Sequence, residues 1–109
     1  MTNEKNLKIK ETFTLAFQNH KNKNYSVAER LYKEILKIKP DHFDSIFLLG
    51  SLSVQTDNLE RAKNYYEKAI KIKSDNASAF YNLGVVFTKL GEIQKAISFY
   101  EKAITKRPD

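Results

Sequence analysis

Cysteine and tryptophan are absent from the sequence, and only two prolines and three glycines interrupt it. Without cysteine there is no disulfide, no thiol nucleophile and no thiolate metal site, a usage compatible with a reducing cytoplasm. Scarce Pro and Gly leave few breaks and favour long helices. Glycine is also too rare for a phosphate-cradling loop. No stretch approaches the ~18 consecutive apolar residues that span a bilayer. Segment 1–8, from Met1 to Lys8, is polar and lacks the apolar core of a secretory signal. The expectation is a soluble, cytoplasmic protein.

What is present is the composition of one small folded domain: 109 residues, 41% hydrophobic and 29% charged. The 19 basic residues exceed the 13 acidic ones, for a net charge of +6. Most of that excess is Lys, whereas base reading and bidentate phosphate contacts are the province of Arg. Lys37, Lys39, Lys71, Lys73, Lys106 and Arg107 gather where helix C-termini are expected, and such ends favour cations in any case. The charge therefore predicts no specific nucleic-acid partner; as an alternative function it allows weak binding to nucleic acid or an acidic surface that fades as salt rises.

Sliding the chain against itself by 34 residues brings Leu15, Leu49 and Leu83 into one column. Ala28, Ala62 and Ala96 form a second column, and Tyr32, Tyr66 and Tyr100 a third. Ala16 aligns with Gly50 and Gly84, and Pro40 with Ser74 and Pro108. Each unit reads as two helices. In the third, Phe80, Leu83, Gly84 and Phe87 share one helical face between about Ala77 and Leu90. Gly91 makes the turn, Ala96, Phe99, Tyr100 and Ala103 line the second helix, and Pro108 stops it. The other turns fall at Asn22-Lys23-Asn24 and Thr56-Asp57-Asn58, and Asp41 and Asp75 are placed to cap the following helices. Small residues in facing columns let the two helices of a unit approach closely.

The period, the two-helix unit and these columns resemble the tetratricopeptide repeat family. The third unit carries the family pattern through Phe80, Leu83-Gly84, Phe87, Ala96, Tyr100, Ala103 and Pro108. The middle unit departs at Ile46, Ser53 and Ser74, and the first at Thr12, Ala16, Asn19 and Ile35. The resemblance implies an all-α fold, a right-handed superhelical array of three antiparallel helix hairpins over 9–42, 43–76 and 77–109, with 1–8 as a polar leading segment.

Nothing in the chain forms a catalytic, cofactor or metal constellation. His20 and His42 lie in different units, without metal-ligand spacing, and read as surface or turn histidines. Glu60, Glu67 and Glu101 occur singly, and Glu67 with Lys71 reads as a surface pair. No Ser stands in a nucleophile elbow. The chain is expected not to be an enzyme.

In the resembled family, partners bind on the surface lined by the first helix of each hairpin. Phe13, Phe47 and Tyr81 fall in one aromatic column of those helices, flanked by Phe17, Leu48, Ser51, Asn82 and Val85. These eight residues predict a groove for an apolar or amphipathic protein or peptide partner. The column serves equally to pack neighbouring units. Family members that clamp acidic chaperone tails use Lys, Arg and Asn at places held here by Phe13, Phe17, Leu48, Ser78 and Asn82, so only Asn82 matches. Arrays of O-linked sugar transferases carry an Asn ladder, of which Thr14 and Leu48 occupy the other two rungs. The third unit otherwise resembles that subclass. An alternative is therefore the N-terminal arm of a larger glycosyltransferase- or sulfotransferase-like enzyme.

The last helix keeps Ile97, Tyr100 and Ile104 where the interior unit has Lys63, Tyr66 and Ile70. It is not rewritten as a polar cap. Exposed, these residues predict end-to-end self-association, or a chain that continues into further structure.

Overall fold

The computed structural model describes residues 2–107. Six helices follow one another: α1 (Asn3–Lys21), α2 (Tyr25–Ile38), α3 (Phe43–Gln55), α4 (Leu59–Ile72), α5 (Ala77–Lys89) and α6 (Ile93–Lys106). The architecture is all-α. Each odd helix packs on the even helix that follows it, giving three antiparallel hairpins. Each even helix also carries the next odd helix, α2 against α3 and α4 against α5. The result is an elongated stack of 44 × 27 × 22 Å. The proline stop expected at Pro108 lies outside the described residues, as do Met1 and Asp109.

The turns inside the hairpins obey the repeat at the level of single dihedral angles. Lys23, Asp57 and Gly91 stand at corresponding positions and have φ of 65°, 62° and 81°. Only the third position holds the residue that adopts this conformation without steric cost. The caps fall one residue later than Asp41 and Asp75 suggested. His42 Nδ1 accepts from the Ser45 backbone N–H at 3.3 Å, and Asn76 Oδ1 from the Ala79 N–H at 2.9 Å. The reason is that α3 and α5 begin at Phe43 and Ala77, so the position able to reach the third helical N–H is 42 or 76. Residues 3–8 of the polar leading segment are helical: α1 starts at Asn3, with the Thr2 hydroxyl accepting from the Lys5 N–H.

The small columns lie at the helix crossings. Ala16, Gly50 and Gly84 are buried, as are Ala28, Ala62 and Ala96. Around them the core forms a chain of linked clusters. Leu49 and Leu52 of α3 close over Ala28, Leu31 and Tyr32, while Leu83, Val86 and Phe87 of α5 close over Ala62 and Tyr66. Burying each such side chain contributes roughly 1.5–3 kcal/mol, and part of that contact comes from the neighbouring hairpin.

The two ends of the stack differ. On α3 the positions Ser45, Ile46, Leu49, Leu52 and Ser53 are buried, as are the same positions on α5, Ala79, Phe80, Leu83, Val86 and Phe87. On α1 they are Glu11, Thr12, Leu15, Gln18 and Asn19. Leu15 therefore leaves its column in environment, 51% exposed where Leu49 and Leu83 are covered. At the other end, Ile93 and Ile104 of α6 lie open, where Leu59 and Ile70 of α4 are half-buried.

Among the described residues the ion pairs are Arg30–Glu34, Lys33–Glu29, Arg61–Glu29, Lys63–Glu60 and Lys95–Glu92. The expected Glu67–Lys71 pair is not one of them. Arg61–Glu29, at 3.3 Å, is the one that ties α4 to α2 across two hairpins.

Candidate functional site

The face built from α1, α3 and α5 carries the predicted groove residues. Each aromatic of the Phe13, Phe47 and Tyr81 column leans on the tyrosine of its own hairpin. The ring centroids are 6.0 Å apart for Phe13–Tyr32, 5.5 Å for Phe47–Tyr66 and 5.5 Å for Tyr81–Tyr100. Such tilted and edge-on pairs are favoured by the ring quadrupoles. The column is therefore part of the packing that holds each hairpin, and also a ridge along the groove.

Exposure rises along that ridge. Phe13 and Phe47 are half-buried, Phe13 beneath the His42 ring at 5.7 Å and Phe47 beside Phe43. Tyr81 is 55% exposed. Phe17 stacks on Phe13, with interplanar angle 5°, and shows its outer face, over which Lys21 Nζ stands 5.0 Å from the ring centre. Leu48 is half-buried against the first core cluster. The remaining predicted residues meet in two hollows. Ser51, Asn82 and Val85 line a depression of about 170 Å³ between α3 and α5, floored by Tyr66. Phe47, Tyr81 and Asn82 line a larger cleft of about 710 Å³ with Tyr100, Ile104 and Arg107. Asn82 lines both hollows.

The polar groups under this face are ordered. The Tyr66 hydroxyl lies 3.0 Å from Ser51 Oγ, and the Tyr100 hydroxyl 3.1 Å from Thr88 Oγ1. Burial pushes the Tyr66 phenol up, partly offset by hydrogen bonds from Ser51 and Asn82. The deeper Tyr32 phenol is pushed up to about 12 by burial alone. Both remain neutral hydrogen-bonding groups across the physiological range.

His20 is not a surface histidine. It is buried, with Nδ1 at 3.0 Å from the Tyr32 hydroxyl and Nε2 at 2.6 Å from Gln55 Oε1. Since the amide oxygen only accepts, Nε2 carries the proton there, and Nδ1 shares a hydrogen bond with the Tyr32 hydroxyl. The network links the first hairpin to the second. The polar identity of position 20 hid this role, because the corresponding positions hold Val54 and Thr88. His42 is the turn histidine expected, and it also receives the Ser45 hydroxyl at 2.8 Å.

Several Lys residues reach over aromatic rings. Lys73 Nζ stands 4.5 Å from the Phe43 ring centre and Lys102 4.9 Å from that of Phe99. Arg107 donates to Ser78 Oγ at 3.2 Å. Among the described residues no helix is long and apolar enough to cross a membrane.

The comparisons with known proteins agree with this geometry. A family model described as tetratricopeptide repeat matches residues 77–109, and one described as TPR repeat matches residues 50–91. A crystal structure of MamA superposes with TM-score 0.88 at 20% identity, covering 92% of this chain and 58% of that one. An O-GlcNAc transferase mutant from Thermobaculum terrenum superposes with TM-score 0.91 at 28% identity, covering 100% of this chain and 21% of that one. A chain of the CopN-Scc3 complex gives TM-score 0.85 at 14% identity, covering 90% of this chain and 58% of that one. The chain thus spans about three fifths of the MamA chain and about a fifth of the transferase. A comparison with curated proteins gives no match. Period, fold and family models converge, and the chain belongs to the tetratricopeptide repeat family.

Proposed function

We propose that this array is a protein-interaction module that holds an apolar or amphipathic peptide against α1, α3 and α5. The observation that carries the reading is the aromatic row Phe13, Phe47 and Tyr81, which ends in an open tyrosine beside Asn82. Rigid aromatics supply contact area at low entropic cost, and an amide at the hollow's edge fixes a peptide backbone. The partner's anchors are apolar side chains that enter the hollows, and Lys21 and Arg107 at the ends favour acidic flanks. Panning a random peptide library against the folded array tests this. Enrichment of apolar anchors, lost for the Tyr81→Ala protein, supports the reading. Enrichment that survives Tyr81→Ala and Asn82→Ala together overturns it.

A second reading is favoured by the transferase likeness, which covers the whole of this chain. Here the array is an arm that presents substrates to a catalytic domain elsewhere in a larger protein. Asn82 is then its one matching groove asparagine. Restoring the other two rungs, Thr14→Asn and Leu48→Asn, should then raise peptide affinity; unchanged affinity speaks for the first reading.

A further inference from the structure

Lys21, Gln55 and Lys89 stand at one repeat position, the last residues of α1, α3 and α5. The middle hairpin thus carries a neutral carboxamide where its neighbours carry a cation. That carboxamide is held: its Oε1 accepts from His20 Nε2 at 2.6 Å. His20 is itself fixed, buried, 3.0 Å from the Tyr32 hydroxyl and edge-on to the rings of Tyr25 and Tyr32. A glutamine at a helix end ordinarily samples many rotamers, and here the ordering cost is met before anything binds.

Gln55 lines the hollow between α3 and α5 together with Ser51, Val54, Tyr66, Asn82 and Val85. Its walls come from the second and third hairpins, and the first hairpin holds Gln55 through His20. At about 170 Å³ it is smaller than the roughly 300 Å³ at which small-molecule sites begin, and it suits one side chain of a longer ligand. None of its lining residues is charged.

We propose that Gln55, positioned by His20, selects an Asn or Gln side chain of the peptide held in the groove. This rests on the groove reading above and adds the partner's polar residue to its apolar anchors. With Oε1 engaged by His20, the free side of the Gln55 amide is Nε2, which only donates. Those N–H groups match the oxygen of a partner carboxamide. The Ser51 and Tyr66 hydroxyls, 3.0 Å apart, keep lone pairs that accept from its NH2 group. Val54 and Val85 flank its methylene stem. A carboxylate would enter with no cation among the lining residues, and an ammonium would meet the Gln55 donors; either would lose water without a counter-charge.

Panning a random peptide library against the folded array, and sequencing the bound peptides position by position, tests this. The expected result is Asn and Gln enriched at one position a fixed distance from the apolar anchors, by roughly two- to tenfold, the worth of one net hydrogen bond. Gln55→Glu keeps an oxygen for His20 and removes the donors. It should abolish the Asn and Gln preference and enrich Lys and Arg there, with the apolar anchors unchanged. His20→Phe, shown folded by its thermal melt, should weaken the preference while Gln55 is still present. Apolar anchors enriched with no Asn or Gln preference overturn this inference and leave the groove reading standing; no enrichment of any kind overturns both. Enrichment of Asp and Glu by the natural protein, or an Asn and Gln preference that survives Gln55→Glu, also overturns the inference. An undiminished preference in folded His20→Phe overturns the positioning role of His20.

Discussion

A Cβ placed on Gly50 would stand 2.8 Å from both Cε1 and Cζ of Tyr66. Tyr66 has little room to yield: it is buried, its hydroxyl is held by Ser51, and its ring lies against Phe47. Gly84 has the same relationship to Tyr100, at 2.7 Å, but Tyr100 is half-buried at the end of the stack.

Gly50→Ala therefore destabilises the array. Overpacking costs roughly 1–3 kcal/mol, against which the better helix propensity of Ala returns about 1. Gly84→Ala costs less, because the Tyr100 ring can swing outward. Urea titrations of the two variants should place Gly50→Ala below Gly84→Ala by about 1 kcal/mol. The first hairpin has Ala16 at this position beside a fully buried Tyr32, so its two helices already accommodate the methyl.

Tyr81→Ala should separate binding from folding. The ring is mostly exposed, so its loss should cost no more than its pairing with Tyr100, about 0.5–1.5 kcal/mol, while peptide affinity falls by more than about 1. Phe47→Ala should damage both, since that ring packs into the second and third core clusters. Calorimetric binding beside thermal melts checks the pair of outcomes.

The sequence reveals the period, the hairpins and the turns because Leu, Ala and Tyr recur at fixed intervals with no insertion. It hides what departs from the columns. The start of α1 is invisible because residues 3–8 carry no inner stripe, and Leu7 stays exposed. The two caps shift by one position because Asp41 and Asp75 are strong cappers adjacent to the true sites. His20 cannot be placed from sequence at all: its partner Gln55 is 35 residues away and belongs to another hairpin. The groove residues are legible as a face, but not their unequal exposure. That depends on whether a following hairpin covers them, as it covers Phe47 and leaves Tyr81 open.

The cap of α3 gives the stability a pH dependence. Burial lowers the His42 pKa, opposed by the charges of Asp44 and Asp41 and reinforced by Lys39. Nδ1 accepts from Ser45, so the folded state prefers the neutral ring. The contribution is complete above the unfolded value of about 6.5 and is lost as pH falls through the lowered folded value. His42→Asn keeps an N-cap acceptor, as Asn76 does for α5. Chemical denaturation at successive pH values should show a shallower acid loss for His42→Asn than for the natural protein.

Lys23 and Asp57 occupy left-handed backbone positions that glycine fills in the third hairpin. Lys23→Gly should stabilise by about 1 kcal/mol, and Asp57→Gly by less, because Asp tolerates that region better. A rise of several degrees in Tm for Lys23→Gly, against a smaller one for Asp57→Gly, is the expected pattern.

The His20–Gln55 hydrogen bond has a consequence for how the stack bends. It pins the first hairpin to the second through polar groups, whereas at the second junction Val54 stands in the place of His20 and packs with the cluster of Phe87 and Leu90. A directional bond holds an angle where apolar contacts let surfaces slide, so the first joint of the stack is the stiffer hinge.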